Sequence, residues 1–555
     1  MKEPWISSYG DLPFHLDYST KTMSAAVLDT AAADPKFTAL SFMGKNIPYE
    51  EMARNIDAAA RGFYHLGVRR GDRVLVCLPN VPQAIYCLYG LNLIGAVAAM
   101  VHPLSAVGEI RFYLDEAECD VAVTLDQFYD KFRDVRAKRP ISKLIITRIS
   151  DELPVLKGLA YRLTTERKYT TPEVVVTWKE FLKGGKAVAD GYRDESKDCH
   201  SEAVVLFSGG TTGTSKGIML SDYNFNALAL QTATMSHEDI RHKKMLAAMP
   251  VFHGFGLGVC IHTMMFSGGT SILVPRFNVK SYANLIKTCR PNFIAGVPSL
   301  FEGITRNEYL NGADLSCLKG VFSGGDSLTI ELKKKFDAFL KDHRAKVRVR
   351  EGYGTTECVT ACCLTPWDKE KEGSIGIPYP DTWFKICAVG TCDEVPYGEE
   401  GEICLTGPTV MLGYINHEKE NADTLRTHDD GHVWLHTGDL GVMDSEGFVY
   451  FRQRIKRMII TNGYNVYPSQ IENILEQHPA VRRSCVIGVP DPRKMQIVKA
   501  FVVLADGYDD SPELRQSILE HCRGHIAKYA MPKLIEVRDD LPTTLVGKVA
   551  YTKLS

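Results

Sequence analysis

No charge of either sign is in surplus along this chain of 555 residues, since 65 Lys and Arg face 67 Asp and Glu for a formal net charge of −2. Proteins that grip nucleic acid through its phosphates need a basic excess, so no nucleic-acid partner is expected. No two of the fifteen cysteines stand in a Cys-x-x-Cys pair, and the adjacent Cys362 and Cys363 are poorly placed for an ordinary disulfide. Reduced thiols in a cytoplasmic protein are the reading that follows. The opening Met1-Lys-Glu-Pro-Trp-Ile lacks the apolar core of a signal peptide. An unbroken apolar run of membrane length is missing too. Residues 84–101 come nearest, but Gly90, Asn92 and Gly95 interrupt them and Pro103 follows. A buried helix leading into a buried strand is expected there, and no transmembrane anchor. His428, His432 and His436 have helical metal-ligand spacing, yet Asp429-Asp430-Gly431 breaks any helix between them. No zinc site is expected from them.

What the chain does contain is the ordinary make-up of a globular protein, 45% hydrophobic and 24% charged. Its length predicts two or more domains. Helical and strand patterns alternate through the first half, as parallel α/β architecture requires. Residues 49–62 read as an amphipathic helix; residues 73–78, 120–124 and 203–207 read as strands. Between residues 150 and 198 the pattern weakens and turns basic through Lys157, Arg162, Arg167, Lys168, Lys179 and Lys183, which reads as a solvated surface excursion. Near Phe451 the composition changes. Strands at 458–461, 484–489 and 497–504 with helices at 468–477 and 512–526 make a small α+β unit, and the boundary is placed close to Gln453.

The stretch Ser208-Gly-Gly-Thr-Thr-Gly-Thr-Ser-Lys216-Gly217 follows the apolar strand 203–207 and suits a polyphosphate. Glycines let successive backbone N–H groups converge on an anion, and hydroxyls with a lysine add donors. It is not a Walker A loop, because Lys216 is preceded by Ser215 and followed by Gly217. Downstream come Glu351-Gly-Tyr-Gly-Thr-Thr-Glu357, His436-Thr-Gly-Asp439, Arg454-Ile-Lys456 and Gly547-Lys548, in that order.

This ordered set resembles the adenylate-forming, AMP-binding superfamily of acyl-CoA synthetases, aryl-CoA ligases and luciferases, over nearly the whole chain. The N-terminal stretch from Pro4 to Tyr18 and the basic excursion after Pro154 are most similar to bacterial medium- and long-chain fatty acyl-CoA ligases. The resemblance implies a large α/β N-terminal domain, residues 1–453, that binds ATP and the acyl substrate, and a small mobile α+β C-terminal lid, residues 454–555. It implies ATP, Mg²⁺ and CoA as cofactor and cosubstrates and a fatty or other carboxylic acid as substrate. A weak peripheral membrane contact and a homodimer stay open.

By the same resemblance, Ser208, Gly209, Gly210, Thr211, Thr212, Gly213, Thr214 and Lys216 would hold the β- and γ-phosphates. Thr356 would reach the α-phosphate and Glu357 would bind Mg²⁺, which prefers one or two carboxylates plus phosphate oxygens. Tyr353, within Gly352-Tyr353-Gly354-Thr355, would stack on adenine opposite Gly324 and Gly325, with either Asp326 or Glu351 accepting from the adenine amino group. Asp439 would take the ribose hydroxyls beside Arg454. Lys548 would bridge acyl carboxylate and α-phosphate, and Lys456 would be the hinge that swings it away. Gly463 and Tyr464 would then face the CoA tunnel, while His253 would gate the acyl channel, with Gly254, Gly256 and Gly258 leaving room for an apolar chain or serving only tight packing.

The sequence departs from the family pattern at Ser215, where proline is common, at Gln453 and Arg457 around the hinge, and at Asn462 before Gly463. Phe322-Ser-Gly-Gly-Asp-Ser327 resembles a phosphopantetheine attachment site but lies inside the large α/β domain, which argues against a carrier role. The alternatives left standing are an aryl or polycyclic carboxylate ligase, an adenylation enzyme that loads a carrier protein, a monooxygenase of the luciferase kind and a non-catalytic nucleotide-binding relative.

Overall fold

Two mixed, mostly parallel sheets form the bulk of the computed structural model, which describes residues 3–164, 175–208, 215–276, 278–461, 464–491, 495–523, 525–544 and 548–554. In the eight-stranded sheet, Arg73–Cys77 and Val97–Met100 lie at the centre. Glu202–Phe207 pairs in parallel with Val97–Met100 and antiparallel with Gly217–Ser221. The nine-stranded sheet runs through Thr270–Leu273, Lys244–Ala247, Phe293–Gly296, Gly320–Ser323 and Val349–Tyr353 in that spatial order, all in parallel.

A single apolar core joins these sheets, with Val74, Val76, Ala98 and Met100 from one and Leu246, Ile272 and Phe293 from the other. The membrane-length apolar segment is the centre of that core. The helix Pro82–Leu93 buries every residue from Pro82 to Asn92 and leads into the strand Val97–Met100, buried throughout. A helix enclosed on all sides has no polar face to display, which explains its sequence. Among the described residues no helix is long and apolar enough to cross a membrane.

The basic stretch between residues 150 and 198 is not wholly a surface excursion. The helix Trp178–Gly185 buries Trp178 and Phe181, and the Phe181 ring lies 4.8 Å from that of Phe63. The strand Val433–Met443 carries His436-Thr-Gly-Asp439 within it, with Gly438 at φ +70°. It belongs to a third sheet with Trp383–Cys387, Glu400–Thr406, Leu425–Thr427 and Val449–Arg454.

A fourth sheet is built only from strands after Met458, namely Ile459–Thr461, Tyr464–Val466, Val481–Asp491, Met495–Leu504 and Leu534–Val537. The helices Pro468–Leu475 and Pro512–Arg523 cover it around Ile471, Leu475, Val486, Val502 and Ile518.

Candidate functional site

The phosphate-loop motif joins two paired strands, with Phe207 opposite Gly217. Gly209, Gly210, Thr211, Thr212, Gly213 and Thr214 lie outside the described residues, but the base that carries them is well fixed. Ser208 N–H donates to the Lys216 carbonyl at 3.0 Å, and Lys216 N–H donates to Ser208 Oγ at 3.0 Å. Ser215 Oγ donates to the Ser208 carbonyl at 2.6 Å, a bond that a proline at this position could not make. Lys216 Nζ lies 4.8 Å from the centre of the Tyr414 ring, a cation–π distance. Tyr414 Oη in turn donates to Glu357 Oε1 at 2.9 Å. Tyr414 arrives there because the short strand Gly413–Tyr414 pairs with Gly217–Ser221.

Glu351, Gly352 and Tyr353 end the strand Val349–Tyr353. Gly354 and Thr355 lead on to a 3₁₀ turn, Thr356–Cys358, that presents Thr356 and Glu357. A Cβ on Gly354 would lie 1.7 Å from the Thr360 carbonyl oxygen, so only glycine fits. Tyr353 Oη donates to Asp439 Oδ2 at 2.7 Å, and the Tyr353 ring lies 6.0 Å from Phe451. Asp439 stands across the strand pair from Arg454, whose Nε is 3.3 Å from Asp439 Oδ1. Burial pushes the Asp439 carboxyl above its usual range, with Arg454 and the Tyr353 hydroxyl acting against that shift. Its Oδ1 is buried without an aligned hydrogen bond, which leaves an acceptor free for a hydroxyl.

A carboxylate that the sequence did not single out holds this segment in place. Glu402 Oε1 accepts from Gly438 N–H at 2.9 Å, and Glu402 Oε2 accepts from His436 Nδ1 at 2.9 Å. His436 Nε2 meets His428 Nε2 at 2.9 Å. The expectation that a broken helix keeps these histidines apart fails for two of them. Leu425–Thr427 and Val433–Met443 are paired strands, and that hairpin brings His428 and His436 together. Burial, with Lys385 nearby, lowers His428 to about 4, so the pair is neutral at His428 near pH 7.

The opposite wall follows the strand Gly320–Ser323. Gly324 N–H donates to the Gly296 carbonyl at 3.1 Å, and Gly325 adopts φ +81°. A Cβ on Gly325 would lie 3.6 Å from Lys548 Cε, so the C-terminal lysine is already over the site. Lys548 is held through its backbone, with Thr544 N–H donating to the Lys548 carbonyl at 2.7 Å and Lys548 N–H donating to Thr544 Oγ1 at 3.1 Å. Burial lowers its pKa, and Arg454 adds to that. Asp326, Asp439 and Glu357 act in the opposite direction. Asp326 Oδ2 accepts from Val549 N–H at 3.3 Å and so touches the backbone of the C-terminal unit. Glu351 Oε1 accepts from Leu328 N–H at 3.3 Å, and burial raises its carboxyl to about 7.

His253 Nδ1 accepts from Phe255 N–H at 3.2 Å, at the entry to a π-helical turn, Phe255–His262. Burial, and then the charge of Lys548, lowers His253 to about 3, so it is a neutral imidazole near pH 7. The neighbouring glycines leave little open space. A Cβ on Gly254 would lie 1.7 Å from Val359 O, one on Gly256 2.1 Å from Pro250 O, and one on Gly258 2.5 Å from Leu228. Tight packing is therefore what they serve.

Lys456 is exposed in the 3₁₀ turn Ile455–Arg457 and does not join the cluster. Arg457 turns into the C-terminal unit, where it pairs with Glu472. Gly463 lies outside the described residues, as does the side chain of Tyr464. Gly547 is also outside them.

Comparison with known proteins identifies the family. The family model described as AMP-binding enzyme matches residues 27–415, and the AMP-binding enzyme C-terminal domain matches residues 470–548. The chain is 34% identical over 562 residues to the long-chain-fatty-acid–CoA ligase of Bacillus subtilis (strain 168), covering 100% of this chain and 98% of the relative. It is 30% identical over 574 residues to the enzyme of the same name from Escherichia coli O6:H1, again with 100% and 98% coverage. The crystal structure of an ATP-bound RpMatB–BxBclM chimera superposes with a TM-score of 0.84 at 25% identity, covering 97% of this chain and 98% of that one. A described fold and an ordered set of motifs thus lead to one conclusion: the chain belongs to the AMP-binding enzyme family of adenylate-forming proteins.

Proposed function

We propose that the protein is an AMP-forming acid–thiol ligase that activates a fatty acid as its acyl-adenylate and passes the acyl group to CoA. The observation that carries this reading is the meeting of Lys548 with Asp439, Arg454 and Glu357, groups from separate segments brought within electrostatic reach of one another. The names of the full-length relatives support a long-chain fatty acid as the substrate.

In the first half-reaction a carboxylate oxygen of the acid bonds to the α-phosphorus of ATP, and the bond to pyrophosphate breaks. Lys548 neutralises charge where the two anions meet, and Thr356 reaches the α-phosphate from the adjoining turn. Asp439, whose buried Oδ1 has Arg454 at 3.3 Å but no aligned hydrogen bond, takes the ribose hydroxyls beside Arg454. Tyr353, Gly324 and Gly325 flank the adenine. The engagement of Asp326 with Val549 supports assigning the adenine amino group to Glu351. The residues from Ser208 to Lys216 cradle the outer phosphates. Glu357 beside Lys216 and Tyr414 fits a Mg²⁺ ion, which would supply neutralisation of phosphate charge.

In the second half-reaction the CoA sulfur bonds to the acyl carbonyl carbon and the C–O bond to AMP breaks. We assign residues 1–453 to the AMP-binding domain and 454–555 to a lid turning at Lys456, supported by the separate apolar clusters after Met458. Turning would remove Lys548 and bring Gly463 and Tyr464 to the thiol, and such exchange can limit turnover. His253 is placed to gate the acyl channel as a neutral group. All fifteen cysteines are free thiols, which supports a reducing compartment such as the cytoplasm.

The test gives the purified protein ATP, Mg²⁺, CoA and a mixed panel of fatty and aromatic acids, with products identified by mass. Fatty acyl-CoA together with AMP is expected. Aryl-CoA products would move the substrate assignment, and adenylate without any thioester would move the acceptor to a carrier protein.

A further inference from the structure

Three side chains that favour borderline-soft metal ions converge beside the strand Val433–Met443. His428 directly follows Leu425–Thr427, and His436 lies on Val433–Met443 itself. Cys392 sits in the turn from Ala388 to Asp393 that follows Trp383–Cys387. One nitrogen from each ring and the Cys392 Sγ all lie within 4.8 Å of one another. The two imidazoles are only 4% and 5% exposed, while Cys392 is half-buried and reachable from solvent. This is not the set that spacing brought forward. His432 is exposed, and a cysteine from a different strand connection takes its place.

The contacts around His436 decide which nitrogen is on offer. Its Nδ1 is held by Glu402 Oε2 at 2.9 Å, and Cys404 Sγ lies 3.5 Å from the same nitrogen. Nε2 therefore keeps its lone pair, directed at His428 Nε2 at 2.9 Å. A carboxylate on the far nitrogen of an imidazole is the usual outer support of a metal-binding histidine, because it fixes both tautomer and ring. Tetrahedral Zn²⁺, with bonds of about 2.0–2.1 Å to nitrogen and about 2.3 Å to sulfur, places N and N about 3.3 Å apart and N and S about 3.6 Å apart. The rings must part by about 0.4 Å and Cys392 must close in, which a half-buried turn permits. Charge supports the same ion. A Cys392 thiolate and the Glu402 carboxylate together offset a divalent cation, and Lys385, the cation beside His428, is paired with Asp430 at 3.3 Å. Hard ions such as Mg²⁺ prefer oxygen ligands, whereas imidazole with thiolate suits zinc.

We propose that Cys392, His428 and His436 bind one Zn²⁺ ion, with Glu402 supporting His436 and a water in the fourth position. On binding, the thiol proton leaves to solvent and the proton shared between the rings moves to His428 Nδ1. That nitrogen has no hydrogen-bond partner among the described residues, so the ion should be held less tightly than in a four-ligand structural site. The ion would tie together three connections of the third sheet and clamp His436 in the segment that carries Asp439. Nothing in this assignment depends on the reaction proposed above.

The test uses the full-length protein, reduced and stripped of metal by a chelator, with Co²⁺ as a visible probe. One equivalent of Co²⁺ should give the intense visible bands of a tetrahedral ion and a thiolate-to-cobalt charge-transfer band, both abolished by an equal amount of Zn²⁺. Zn²⁺ should also raise the melting midpoint of the wild type. Cys392→Ser should lose the charge-transfer band and the stabilisation by Zn²⁺, while its metal-free melt matches that of the metal-free wild type, which shows that it folds. Glu402→Gln should keep the charge-transfer band and weaken Zn²⁺ binding about ten- to hundredfold, the effect of losing a supporting carboxylate. Co²⁺ held by oxygen ligands near Glu357 gives no thiolate band and is told apart by that. A wild type without tetrahedral bands would overturn the proposal. So would bands of equal strength in Cys392→Ser, which would place the ion on another of the fifteen thiols.

Discussion

Replacing Glu402 by Gln removes one charge, keeps the shape, and should still weaken ATP binding. Both partners of this carboxylate are donors: Gly438 N–H to Oε1 and His436 Nδ1–H to Oε2, each at 2.9 Å. An amide offers one acceptor and one donor, so it satisfies one partner and turns an N–H toward the other. If the amide oxygen keeps Gly438, His436 must move its proton from Nδ1 to Nε2, toward His428 Nε2 at 2.9 Å. His428 must then move its own proton to Nδ1, which has no partner. Protonation offers no escape near pH 7, because burial and Lys385 hold His428 at about 4. A lost hydrogen bond to a charged group costs about 1.5–3 kcal/mol. If about 1 kcal/mol of that reaches Asp439 through the Gly438 backbone, KM for ATP should rise about fivefold. The fall in kcat should be smaller, since the ribose contact proposed for Asp439 would be made equally in ground and transition states. Pyrophosphate release measured against ATP concentration, together with a thermal melt, reads both effects. An unchanged KM and an unchanged melting midpoint in Glu402→Gln would show that the carboxylate does not position Asp439.

The remaining expectations concern the lysine, the packed glycines and the buried carboxyl. Lys548→Ala should lower adenylate formation on the order of a hundred- to a thousandfold and leave synthetic acyl-adenylate convertible to thioester; equal loss in both half-reactions would refute its role. The same variant should raise the His253 pKa, because Lys548 contributes to holding it at about 3, and titration of the His253 ring by NMR would detect an absence of movement. Gly256→Ala places a Cβ 2.1 Å from Pro250 O and 2.3 Å from Met249 O, both backbone, so the variant should be insoluble or melt early, and a wild-type melt would contradict the packing. Burial raises Glu351 to about 7, so the native state holds a proton that the unfolded chain has released. Stability should therefore fall as pH rises from about 4.5 to about 7 and level off above, and Glu351→Gln should remove on the order of 1–3 kcal/mol of that slope in denaturant titrations.

Local pattern was enough for the strands at Glu202–Phe207 and Arg73–Cys77 and for the buried helix Pro82–Leu93, because each is decided by the residues it contains. The motif residues Tyr353, Glu357, Asp439, Arg454 and Lys548 were legible through resemblance rather than through periodicity. Glu402 was not, because its role depends on the bulged register between Glu400–Thr406 and Val433–Met443, a pairing that no local signal specifies. Tyr414 was hidden for the same reason, reaching Glu357 only because a two-residue strand adds to the edge beside the phosphate loop. The contact of His428 with His436 was misjudged by testing a helix when a hairpin was the connection. Trp178 and Phe181 were masked by the lysines around them, which kept a core-packing helix looking like surface.

The seam between the C-terminal unit and the rest of the chain is polar. Glu302 faces both Arg482 and Arg483, Arg306 faces Asp506, Asp326 meets the Val549 backbone, and Tyr467 meets Glu400. Among the described residues no apolar cluster includes members from both sides of Met458. Attraction of this kind decays over a Debye length of about 8 Å at physiological ionic strength, while the cores on either side are indifferent to it. Added electrolyte should therefore act on the docking of the C-terminal unit alone, so that, if that unit is the lid proposed above, how often it leaves the larger domain becomes a function of the medium at constant fold stability.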